Sequence, residues 1–117
     1  MITLHELTSM NELEKVWEET TEKPVLLFKH STTCPLSAQA MNEYQSFLQS
    51  LDKDVSAYMV KVIEERPISN KIAEWTEVRH HSPQILLVKD KEVLWHTSHT
   101  KITTKNMDKA FERAKIH

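Results

Sequence analysis

The chain has 117 residues, 39% of them apolar and 27% charged, a mix that suits one globular domain and excludes a disordered chain. Fifteen Lys and Arg against seventeen Asp and Glu leave a net charge of −2, without the basic excess that bulk nucleic-acid binding requires. Glycine is absent, which excludes the P-loop and the Gly-rich dinucleotide turn, and a single cysteine excludes an internal disulfide or a thiolate zinc cage.

Ile2 to Leu4 opens as a short strand. Ser9 and Glu12 have capping-box spacing, and Met10, Leu13, Val16 and Trp17 then share one helical face. After a polar break from Thr20 to Pro24, Val25 to Phe28 forms an apolar run suited to a strand buried on both faces. Ser31, Thr32 and Thr33 lead to Cys34-Pro35, a helix start with hydroxyl caps and a proline in the first turn. Ala40, Met41, Tyr44, Phe47, Leu48 and Leu51 mark the buried stripe of that helix.

Val55 to Ile63 reads as a strand, and Pro67 opens a helix whose apolar face is Ile68, Ile72 and Trp75. Val78 to Ser82 is a loop leading into Pro83. Ile85 to Val88 and Val93 to Thr97 then form a hairpin about an Asp90-Lys91 turn that lacks the usual glycine or asparagine. Thr103 caps a last helix with Met107, Ala110, Phe111 and Ala114 inward. The fold class expected is α/β, with a mixed central β-sheet flanked by helices in a single domain spanning residues 1–117. The apolar runs are far short of the roughly 20 residues of a membrane span. No basic-then-apolar leader opens the chain, which predicts a cytoplasmic protein.

Cys34 lies where a buried strand turns into a helix. There, free N–H groups and the positive end of the helix dipole favour a thiolate over a thiol. Pro35 has no N–H, so the expected donors are the amides of Leu36 and Ser37 and the Ser37 hydroxyl. No carboxylate occurs from Pro24 to Asn42, while Lys29 and His30 stand just before the loop and are expected to add positive charge. A free cysteine is most often a small buried hydrophobe. Three hydroxyl residues before Cys34 and Pro-x-Ser after it argue for a reactive thiol instead.

Thr33-Cys34-Pro35-Leu36-Ser37-Ala38 resembles the Cys-Pro-x-Cys site of glutaredoxins and the Cys-x-x-Cys of thioredoxins, with serine at the resolving position. Val78 to Val93 resembles the thioredoxin segment that carries the cis-proline and its following hairpin, which makes Pro83 the expected cis-proline. Over nearly all of its length the chain resembles the monothiol bacilliredoxin family. Phe28 to Ser37, with Phe-Lys-His-Ser-x-x-Cys-Pro-x-Ser, is the specific part. The resemblance implies a thioredoxin-like fold and a cytosolic thiol–disulfide oxidoreductase that uses Cys34 alone to remove bacillithiol from S-bacillithiolated proteins. Bacillithiol is then a co-substrate, a low-molecular-weight thiol, and no bound cofactor, nucleic acid or membrane is required. Substrate contacts are implied for Thr33, Pro35, Ser82 and Pro83. The chain departs from thioredoxins in carrying Phe28 where they have a buried acid and Thr33 where they have tryptophan. It also lacks the Gly-Gly pair of glutaredoxins. Two rival readings are a glutaredoxin-like iron–sulfur module, disfavoured by Pro35, and a redox-inactive interaction domain.

Seven histidines include the pair His80-His81 and His96 with His99, but zinc needs three or four convergent ligands, so no metal site is expected. Trp17, Trp75 and Trp95 each fall within a regular element and read as core anchors.

Overall fold

A computed structural model describes residues 1–116. Its elements are β1 (Leu4–Glu6), α1 (Met10–Glu19), β2 (Val25–His30), α2 (Pro35–Ser50), β3 (Ser56–Lys61) and α3 (Arg66–Thr76). They continue as β4 (Gln84–Lys89), β5 (Glu92–Ser98), a single 3-10 turn (His99–Lys101) and α4 (Thr104–Arg113). The five strands lie in the order β1-β3-β2-β4-β5, with β1, β3 and β2 parallel and β4 and β5 antiparallel. This is the mixed α/β sheet expected from the element order. No helix among the described residues is long and apolar enough to cross a membrane.

The capping expectations at two helices hold. Ser9 accepts from the Glu12 N–H at α1, and Thr103 accepts from the Asn106 N–H at α4. At α2 the structure differs: the N-cap is Cys34 itself, with no side-chain capping bond, and the hydroxyls of Ser31 to Thr33 do not serve as caps. The first strand starts two residues later than Ile2, because its pairing with β3 runs from Leu4 with Ala57 to Glu6 with Met59.

The period-2 alternation of β2 sends its residues to two separate cores. Leu26 and Phe28 join Ala40, Tyr44, Phe47 and Leu48 of α2 and Met107 and Phe111 of α4. Val25 and Leu27 pack instead with Leu13 and Val16 of α1 and Ile68 and Ile72 of α3. The phenyl ring of Phe28 stacks on Tyr44, in the third turn of α2, at 5.0 Å. Trp17 and Trp75 stack at 5.2 Å on the other face and are only half-buried. The β4–β5 register slips by one residue, so that Leu87 faces Trp95 and Val88 faces Val93, and Leu94 bulges out.

With no glycine in the chain, five other residues among those described occupy left-handed backbone: Glu77, Asp90, Lys91, His99 and Lys115. Asp90 and Lys91, at φ 54° and 61°, form the hairpin turn, whose primed geometry suits the strand twist despite its side chains. The buried Thr20 holds this turn in place. Its carbonyl accepts the Asp90 N–H at 2.6 Å and its hydroxyl accepts the Lys91 N–H at 3.0 Å. The polar break before β2 is therefore a buried clamp, which its composition did not suggest.

Candidate active site

The sheet register brings the two singled-out segments to one end of the molecule. Lys29 pairs with Gln84, so the β2–α2 loop carrying Cys34 leaves the sheet beside the point where Ser82-Pro83 enters it. The Ser82–Pro83 peptide is cis, as the resemblance implied. Pro83 is buried, and its carbonyl accepts the His99 N–H at 3.1 Å, which ties the 3-10 turn to the same end. The Ser82 hydroxyl is buried without a protein partner. Thr33 and Pro35 flank Cys34 as exposed residues.

Cys34 is a free, partly exposed thiol. Its N–H donates to the Ser31 carbonyl at 3.3 Å, and its carbonyl accepts from Ala38 at 3.0 Å, so the loop turns tightly into α2. Pro35 occupies the first turn of that helix without an N–H. The N–H groups of Leu36 and Ser37 belong to the first turn, which a helix leaves without intrahelical partners.

Three site expectations are corrected. The Ser37 hydroxyl does not turn toward Cys34: it accepts the Ser31 N–H at 3.0 Å and lies 2.8 Å from His30 Nδ1. Ser37 is fully buried, and both of these contacts of its hydroxyl are to the end of β2 and the residue after it. It thus ties the end of β2 to the start of α2. His30 does sit on the α2 face, with its ring 6.0 Å from Phe28. Burial first and the Lys61 charge second, opposed by Glu64, hold His30 below its usual histidine range, which disfavours the positive charge expected of it. Lys29 points to the opposite face, because neighbouring strand residues alternate. It is fully buried, and its Nζ lies 3.1 Å from Nδ1 of His80, which also meets the Ser69 hydroxyl at 3.3 Å. Burial first, and the Arg66 charge second, bring Lys29 down to about 8. Lys29 and His80 therefore brace the loop before Pro83 from behind.

Sequence reasoning missed His99. It stands at φ 56°, donates to Pro83, and packs its ring against His81 at 5.5 Å. Only the meeting of two segments far apart in the chain reveals it. His99, with Leu36, Gln39, Glu43, Thr100 and Thr103, lines a groove of about 190 Å³ between α2 and the 3-10 turn. The Glu43 carboxylate in this groove accepts the Thr104 N–H at 3.1 Å. Among the described residues, no group of three or more His, Cys, Asp or Glu is placed to hold a metal ion.

Comparison with known proteins bears on this site. Residues 5–107 match the family model of "Monothiol bacilliredoxin BrxC". A solved protein described as having a thioredoxin fold is 34% identical, with a TM-score of 0.82 and 92% of each chain covered. Thioredoxin from Trypanosoma brucei brucei is similar in fold at 8% identity, with a TM-score of 0.78 over 97% of this chain and 91% of that one. Mitochondrial thioredoxin 3 from Saccharomyces cerevisiae, in its oxidised form, is 14% identical with a TM-score of 0.72, covering 94% of each chain.

Proposed function

Because this chain belongs to the monothiol bacilliredoxin family, whose fold is that of thioredoxin-like oxidoreductases, we propose that it reduces S-bacillithiolated proteins by disulfide exchange at Cys34 alone. The observation that carries the reading is the position of Cys34. It is a partly exposed thiol at the N-cap of α2, with Pro35 next and a buried serine where a resolving thiol would stand.

The Cys34 thiolate attacks the bacillithiol sulfur of a protein–bacillithiol disulfide. The bond between that sulfur and the target's sulfur breaks, the target leaves as a thiolate and takes a proton from water, and a disulfide forms between Cys34 and bacillithiol. With Ser37 unable to resolve it, the intermediate waits for a second small thiol. That thiolate attacks the bacillithiol sulfur, supplies the two electrons, and returns Cys34 as thiolate. First-turn amides of Leu36 and Ser37 favour the negative sulfur at the start and end of the cycle. Thr33, Pro35, Ser82 and Pro83 border the approach of the target chain. Bacillithiol is a co-substrate, and the cycle uses no bound cofactor. A cytoplasmic setting, where small thiols stay reduced, suits a lone working cysteine.

Intact-mass analysis during reaction with a bacillithiolated target tests this. Wild type gains one bacillithiol while the target is reduced, and Cys34→Ser does neither. Reduction of the target without any adduct on Cys34 overturns the single-thiol cycle.

A further inference from the structure

A cavity of about 610 Å³ lies between β5 and α4, and Cys34 is not among its lining residues. Trp95, Thr97, Lys101, Asn106, Lys109 and Arg113 line it, with no carboxylate among its lining residues. None of the three cations forms an ion pair among the described residues. In a chain of net charge −2 this is a local concentration of positive charge. Lys105, Lys109 and Arg113 follow at intervals of four along one row of α4, with Asp108 and Glu112 three residues after the first two. Neither capping nor packing of α4 uses them: its N-cap is Thr103 and its buried residues are Met107, Ala110 and Phe111.

The other wall of the cavity is an open strand. β5 pairs only with β4, which leaves its outer edge of backbone donors and acceptors free. At the bulge Leu94 is 45% exposed, one of the few large apolar side chains left on the surface, and it too lines the cavity. An indole and an arginine beside a free strand edge are features of a protein-binding surface. Charge selects the occupant. A second copy of this chain would bring the same three cations to the groove, whereas an acidic strand would neutralise them.

We propose that the β5–α4 groove binds an extended acidic segment of a partner protein, added alongside β5 as a sixth strand with its carboxylates facing Lys101, Lys109 and Arg113. Backbone pairing with β5 supplies the alignment, and the cations supply the selection. The site is independent of the exchange chemistry at Cys34.

The test uses a blocked decapeptide alternating glutamate and valine, titrated into the full chain and followed by amide chemical shifts. Saturable shifts are expected in β5 and α4, with slowed hydrogen exchange of β5 amides. The affinity should fall as ionic strength rises and drop roughly tenfold in Arg113→Glu. Lys15→Glu, on exposed α1, changes net charge equally and should leave the affinity within about twofold. Absence of saturable binding overturns the proposal, as does equal weakening by both variants. Reproduction of the same shifts by inorganic phosphate also overturns it, since that marks a small-anion site.

Discussion

At the residue scale, the neighbours of Cys34 do different work from what their types suggested. Ser37 replaces a second thiol, yet its hydroxyl joins the Ser31 N–H to His30 Nδ1 inside the protein. Ser37→Ala leaves both of these half-buried groups without this partner. It should cost about 1–3 kcal/mol in urea denaturation, while the mass gain at Cys34 persists. Lys29 is the other unusual residue, a fully buried cation whose neighbours Arg66, His80 and His81 include no carboxylate. Its folded value of about 8 lies below the 10.5 of an unperturbed lysine. Between those values the unfolded chain holds a proton that the folded chain has lost, so stability rises with pH across that window. Below about 8 both states are protonated and the penalty for burying the charge is present in full. Lys29→Met should abolish that rise, on the order of 2–3 kcal/mol, when denaturation midpoints are compared across the window.

At the scale of elements, the absence of glycine is a stability cost that other features offset. The hairpin turn keeps two left-handed residues because the Thr20 clamp binds both of their amides. Helix α3 ends at Glu77, with φ 58° and ψ 24°, where the Glu77 N–H donates to the Ala73 carbonyl and the Thr76 hydroxyl donates to the Ile72 carbonyl and accepts the Val78 N–H. A left-handed residue with a Cβ costs about 1–2 kcal/mol, and glycine removes that cost at some loss of unfolded-state restriction. Glu77→Gly is thus expected to stabilise the protein by about 0.5–1 kcal/mol, read as a raised denaturation midpoint at unchanged slope.

At the scale of the whole molecule, one central strand, β2, couples two cores to the site. Phe28 stacks on Tyr44 on the α2 side and Lys29 braces the Pro83 loop on the other. Truncating the fully buried Phe28 to alanine should destabilise by about 3–5 kcal/mol and loosen the packing of α2 on β2. Thermal unfolding and hydrogen exchange of the Leu36 to Ala40 amides would register the two effects. An unchanged exchange pattern in a destabilised variant would separate the core from the setting of Cys34.

The element order, the start of α2 at Cys34-Pro35, and the hairpin after Pro83 were legible in the chain, because hydrophobic period, capping residues and proline act over only a few neighbours. Local rules also located the lone thiol and the two segments that flank it. The roles of Lys29, His30 and Ser37 were not legible. Each depends on which sheet face a β2 residue takes and on which distant group waits there: His80 for Lys29, Lys61 for His30, and the Ser31 amide for a Ser37 hydroxyl that folding has buried. His99 and the β5–α4 groove escaped for the same reason, since their partners lie far away along the chain. Local sequence determined where the thiol stands. Tertiary packing decided what surrounds it, because burial, charge and hydrogen bonding are set by groups that meet only when the sheet has formed.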